Sequence, residues 1–117
     1  MDVWKIIYYE SGSGSAPVKD FIEKLDVVSQ NKIADTLDLL EEFGTSIGLP
    51  HVRKLVGAQL WELRILGGKN IRIFYVTLTG KSFLLLHAFQ KKKQKTDRRE
   101  IILAIKRLTD YKLRSNN

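Results

Sequence analysis

Residues 60–90 read LWELRILGGKNIRIFYVTLTGKSFLLLHAFQ, and this stretch decides the fold. Three runs rich in leucine, β-branched and aromatic side chains, Leu60–Leu66, Ile71–Leu78 and Phe83–Phe89, are separated by Gly67-Gly68-Lys69-Asn70 and Thr79-Gly80-Lys81. Such short glycine-containing connections suit hairpins and leave no room for a helical crossover. The stretch predicts an antiparallel three-stranded meander. Its third run is apolar on both sides of the alternation, which places it inside the sheet rather than at an edge.

Working outward, Val3–Glu10 reads as one more strand, and Ser11-Gly12-Ser13-Gly14-Ser15 as a loop. Pro17 suits a first helical turn. Val18, Phe21, Ile22 and Leu25, then Ile33, Leu37, Leu40 and Phe43, recur at helical spacing. They predict a helical hairpin over 16–25 and 28–43, interrupted near Asp26–Ser29 and stopped by Gly44. Residues 44–59 read as irregular, punctuated by Gly48, Pro50 and Gly57. Downstream, Asp97 and Glu100 have capping-box spacing and open a last helix. Ile101, Ile102, Ile105 and Leu108 are predicted to face the core, and Arg98, Arg99, Lys106 and Arg107 the solvent. Residues 112–117 are predicted to fray. The expected architecture is α+β: an N-terminal strand, a helical hairpin, the meander and a C-terminal helix, with helices on one face of the sheet.

A chain of 117 residues suits one domain over 1–117. It has no cysteine, which excludes disulfides and cysteine-based zinc sites. No apolar stretch is long enough to span a bilayer and no signal peptide is evident at the start, so no membrane partner is expected and the expected compartment is the cytoplasm. The net charge of +7 is unevenly spread. Residues 1–50 hold four Lys/Arg against nine Asp/Glu, whereas residues 51–117 hold sixteen against four. A basic block of this kind is the footprint expected of a protein that meets phosphates, although a solvated helix face gives the same composition.

Three segments stand out: Leu60-Trp61-Glu62-Leu63-Arg64, Arg72-Ile73-Phe74-Tyr75, and Phe89-Gln90-Lys91-Lys92 leading to Glu100-Ile101. In this order, after a strand and a helical hairpin, they resemble the phage-associated HigB branch of the RelE-like toxins. The resemblance runs over nearly the whole chain. It implies the RelE-like fold, ribosome-dependent cleavage of mRNA, and neutralisation by a cognate antitoxin that carries a helix-turn-helix motif. It also implies that Arg72 stands at the position of the family's catalytic arginine and that Lys91 and Lys92 match the basic group after the last strand.

Cutting RNA internally uses the ribose 2′-hydroxyl as nucleophile on the adjacent phosphate. A base, an acid and cations are needed. The sequence has no metal-binding signature, so no metal and no other cofactor is expected. His51 lies in the irregular segment. His87 lies within the apolar third strand and reads as a satisfied, half-buried histidine. Arg, Lys and Tyr remain. Arg64 and Arg72 suit bidentate grip on phosphate oxygens, and the crowding of Lys91, Lys92, Lys93 and Lys95 favours a neutral lysine that could accept a proton. Lys93, Lys95, Lys54 and Arg98 are the candidate RNA-binding cations. Arg64 reads equally as a sheet-face residue paired with Glu62 or a hairpin acid; Tyr75 and Trp61 read as packing residues, Trp61 also as an antitoxin contact. A charge at Arg72 within an otherwise apolar strand needs a partner or an opening, which favours function.

The first hairpin sets a condition. Pairing Leu66 with Ile71 sends Arg64 and Arg72 to opposite faces, whereas pairing Leu66 with Arg72 brings them to the same face. A single site needs that second register, or a bulge. Two other functions fit the residues: a non-catalytic basic module that binds nucleic acid through its charge, and a degenerate toxin retained as a binding partner of its antitoxin.

Overall fold

The computed structural model describes residues 3–48, 50–55 and 57–115. The meander is present as β3 (Trp61–Ile65), β4 (Ile71–Leu78) and β5 (Ser82–Gln90), joined antiparallel. Two further strands extend it: β1 (Lys5–Tyr8) lies parallel to β5, and β2 (Val52–Lys54) lies antiparallel to β3. The order is β1-β5-β4-β3-β2. The apolar run of β5 is therefore paired on both edges, and all of it except Gln90 is buried. The short strand β2 falls in the segment read as irregular, of which residues 49 and 56 lie outside the described residues. Three residues, two of them charged, are too few to display an alternating pattern.

The hairpin consists of α1 (Pro17–Glu23) and α2 (Val27–Phe43). Asp26 caps α2, accepting the Ser29 backbone N–H at 3.2 Å and the Ser29 hydroxyl at 2.7 Å. Gly44 ends α2 at a φ of 63°, with its N–H donated to Leu40 O. A Cβ there would meet Trp4 Nε1 at 2.8 Å. The Trp4 ring in turn stacks on Phe83, centroids 4.5 Å apart.

Helices cover both faces of the sheet, not one. On one side, Val18, Ile33, Leu37 and Leu40 of the hairpin pack with Leu63, Ile73, Phe83 and Leu85. On the other, α3 (Arg98–Ser115) packs Ala104 and Leu108 with Phe74, Val76, Leu84, Leu86 and Phe89. A strand apolar on both sides needs two covers, and the last helix supplies the second. Its buried stripe also differs from expectation. Ile101, Ala104, Leu108 and Tyr111 pack on the sheet, whereas Ile102 and Ile105 are 57% and 41% exposed. Small Ala104 lets the helix lie close to the strands, and half-buried Arg107 turns inward to donate to Leu86 O at 2.9 Å. Residues 112–115, read as tail, are helical; 116 and 117 lie outside the described residues.

A bulge completes the frame. Phe74 opposes His87 but Tyr75 opposes Leu85, so Leu86 is the extra residue. The bulge brings His87 and Phe89 onto the α3 face beside Phe74.

Candidate functional site

Ile65 pairs with Ile71, a register neither alternative anticipated, because the connection takes up Leu66 and spans five residues, 66–70. Its parity is the one a single site requires. Arg64 stands directly opposite Arg72, and both point to the α3 face. Like charges facing each other across a ladder repel. The compensating group is Glu62, two residues from Arg64 on the same face and 0% exposed. On the next strand Arg53 pairs with Glu62. Three guanidinium groups thus surround one buried carboxylate. Oε1 lies 3.2 Å from Arg64 Nε and 3.7 Å from Arg53 Nε, and Oε2 lies 3.9 Å from Arg72 Nε. Removing Glu62 leaves three neighbouring guanidinium groups without a carboxylate partner, a loss of roughly 3–5 kcal/mol, whereas removing one arginine leaves the carboxylate with the other two.

Arg72 is the most enclosed of the three, its side chain 13% exposed. Burial pushes its pKa down, the Glu62 carboxylate pushes it back up, and Arg64 and Arg53 add to the lowering. A guanidinium starts so high that it remains charged at neutral pH. Glu62 Oε2 and Arg72 Nε are both buried without a hydrogen-bond partner, held facing each other at 3.9 Å as an ion pair.

The lysine segment begins where this row ends. Arg72 pairs with Phe89, and Lys91 follows at the end of β5. Asn70 fixes the turn: its carbonyl accepts the Lys91 N–H at 2.9 Å and its side-chain amide donates to Lys91 O at 3.0 Å. Lys91, Lys92, Lys93, Lys95, Arg99 and Glu100 line most of a pocket of about 210 Å³. Asp97 at its rim caps α3 through the Arg99 N–H at 3.0 Å and binds the Arg99 guanidinium at 3.0 Å. The capping box is only half formed, because Glu100 turns away to His87. Five of the sequence-derived candidates therefore cluster at one end of the sheet with Arg64: Arg72, Lys91, Lys92, Lys93 and Lys95. Lys54 belongs to the opposite face, its ammonium 5.1 Å over the Trp61 ring. Arg98 is exposed at the first position of α3, outside the lining of the pocket.

His87 is held between the two layers. Its Nε2 is 2.7 Å from Glu100 Oε1, and Arg107 Nη1 is 3.1 Å from Nδ1. Arginine can only donate, so Nδ1 is the acceptor and Nε2 carries the proton toward Glu100. Burial lowers the pKa of the ring, opposed by the hydrogen bond to Glu100, with Arg107 adding to the lowering. The imidazole is neutral with both nitrogens engaged, a positioned core histidine that holds Glu100, one of the residues lining the pocket. Tyr75 is likewise fully buried, as a packing residue. Among the described residues no three His, Asp or Glu side chains gather as a metal site would need.

Sequence reasoning missed Arg53 and gave Glu62, Glu100 and Arg107 no part in the site. The signal for Glu62 was present: it is the one acid in residues 51–90, and it interrupts an apolar strand. A model of the family described as Phage derived protein Gp49-like (DUF891) matches residues 20–109, which include every site residue named above. No curated protein matches the chain.

Proposed function

The chain belongs to the Gp49-like family of phage-derived proteins, a RelE-like family associated with the toxins of toxin–antitoxin pairs, and from that premise we propose that it is a metal-independent, ribosome-dependent endoribonuclease of the HigB type. In this reading it cuts mRNA during translation, in the cytoplasm, and is held inactive by a cognate antitoxin with a helix-turn-helix motif.

The observation that carries the reading is the placement of Arg64 and Arg72 opposite each other on one sheet face, next to the lysine pocket. Planar guanidinium groups suit the non-bridging oxygens of a phosphodiester and the charge that grows on them during attack. Loss of the 2′-hydroxyl proton, bond formation from that oxygen to phosphorus, and departure of the protonated 5′-oxygen leave a 2′,3′-cyclic phosphate and a 5′-hydroxyl. Lys91 and Lys92 are the groups we assign to proton transfer. Their set is sparse, and the ribosome offsets this by holding the message in a fixed geometry.

The test is inducible expression of wild type and Arg72→Ala in a bacterial host, with growth and mRNA ends inside translated regions as readouts. Wild type is expected to arrest growth and cut messages, and the folded variant to do neither. A harmless wild type with intact messages at equal protein level overturns the reading in favour of a basic binding module without catalysis.

A further inference from the structure

Glu62 faces the Nε of all three arginines: Arg64 at hydrogen-bond distance, 3.2 Å, and Arg53 and Arg72 at ion-pair distance, 3.7 Å and 3.9 Å. Arg64 gives its inner N–H to the carboxylate as a hydrogen bond, and Arg53 and Arg72 face it as ion pairs. Among the described residues only one outer nitrogen finds an acceptor, Arg72 Nη1 to Ile71 O at 3.3 Å. The carboxylate is fully buried, whereas the Arg53 and Arg64 side chains are 47% and 24% exposed. The arrangement is a hub with three held arms. Resting on the ribonuclease reading above, we propose that Glu62 is a positioning residue that turns these three arginines into one seat for an RNA phosphodiester, and that Arg53 is a third phosphate-contacting arginine.

Charge gives the seat a direction. Three guanidinium groups and one carboxylate leave two positive charges in excess. A phosphodiester in the ground state carries one negative charge, whereas the pentavalent species formed by 2′-oxygen attack carries two. The seat is therefore balanced against the transition state and not against the bound substrate, which is the condition under which electrostatic contacts speed a reaction. Glu62 reduces an excess of three to this value while blocking the mutual repulsion that would drive the arms apart. In the step itself no proton moves to or from Glu62. The 2′-oxygen–phosphorus bond forms, the phosphorus–5′-oxygen bond breaks, and the protons travel through the lysine side of the site.

The test uses the full chain with ribosomes programmed with one defined mRNA, under single-turnover conditions, so that rate and half-saturation are read separately. Arg72→Ala reports on the underlying ribonuclease reading, and Arg53→Ala and Glu62→Gln report on the seat. Arg53→Ala is expected to lower the maximal rate roughly tenfold or more, with half-saturation and melting temperature nearly unchanged. Arg53→Lys is expected to recover part of the rate, and Glu62→Asp to retain more of it than Glu62→Gln. Side-chain NMR adds a readout independent of activity. A slowly exchanging Arg64 Nε–H signal is expected in wild type, and its loss, with shifts of the Arg53 and Arg72 Nε–H signals, in folded Glu62→Gln. If Glu62→Gln does not fold, Arg53→Ala and Glu62→Asp decide. A wild-type rate in Arg53→Ala, alongside a dead Arg72→Ala, overturns the seat and spares the ribonuclease reading. An inactive wild type overturns both. Loss of stability in the Glu62 variants with an unchanged rate per folded molecule reduces Glu62 to a purely structural role.

Discussion

His87 lies against Phe74 and Phe89, its ring stacked on Phe89 at 5.4 Å, with Glu100 and Arg107 of α3 engaging its two nitrogens. Its pKa in the folded chain is depressed, by burial first and by Arg107 second, against the pull of Glu100. The unfolded chain takes up a proton near the ordinary value of about 6.5; the folded chain does so only at lower pH. The stability this residue contributes is thus fully present above about pH 6.5 and is lost as pH falls toward the folded value. One proton limits the slope to about 1.4 kcal/mol per pH unit. Urea midpoints are expected to fall between pH 7 and pH 5.5 in wild type and to change little in His87→Asn. Asp97 and Asp110, both with lowered pKa values, act below that window. A flat wild-type profile would refute the buried neutral ring. His87 was legible in the sequence as a satisfied histidine, because it stands in an apolar run. Its partners were not, since Glu100 mimics a capping residue and Arg107 sits among solvent-facing cations, and only packing distinguishes them.

Elements marked by long periodic patterns were recovered, and those defined by contacts were not. The strands of the meander, the hairpin and the last helix follow from alternation, helical spacing and turn chemistry. The three-residue strand β2 exists because β3 offers it an edge, and it is this strand that delivers Arg53. The choice of buried stripe on α3 depended on how closely the helix could approach the sheet, which favoured Ala104 over the larger Ile102 and Ile105. Glycines separate local from tertiary constraint. Gly44 and Gly80 both have positive φ, but a Cβ at Gly80 meets nothing within 4 Å, whereas one at Gly44 meets the Trp4 ring at 2.8 Å. Gly80→Ala carries backbone strain alone, about 1 kcal/mol. Gly44→Ala carries the strain and must also displace the Trp4 ring from Phe83, and is expected to cost roughly 2–4 kcal/mol. Denaturant unfolding of the two variants checks this; equal losses would show that the Trp4 contact imposes no constraint.

At the scale of the molecule, the division into an acidic N-terminal part and a basic remainder becomes a division between surfaces. The acids of the hairpin lie with the layer on one face of the sheet, while the lysine pocket and the arginine row lie at the end of β5 and on the α3 face. Composition gives the size of the charge but not this separation, which depends on α3 crossing to the face opposite the hairpin. The separation makes placement testable against net charge. Lys92, Lys93 and Lys95 are exposed beside the pocket, and Lys5, Lys19 and Lys24 are exposed elsewhere, so either triple can be changed to Gln without disturbing the core. Both triples remove the same charge. If bound RNA tracks the pocket, each phosphate contact contributes about 0.7 to the slope of log affinity against log salt for a single strand. The pocket triple is then expected to reduce that slope by about 2 and to weaken binding most at low salt, while the distant triple leaves the slope near wild type. Binding of a short single-stranded RNA across a salt series, read by fluorescence anisotropy, separates the two. Equal slopes for both triples would mean that the protein attracts RNA by its overall field, and that the lysines after β5 hold no particular phosphate.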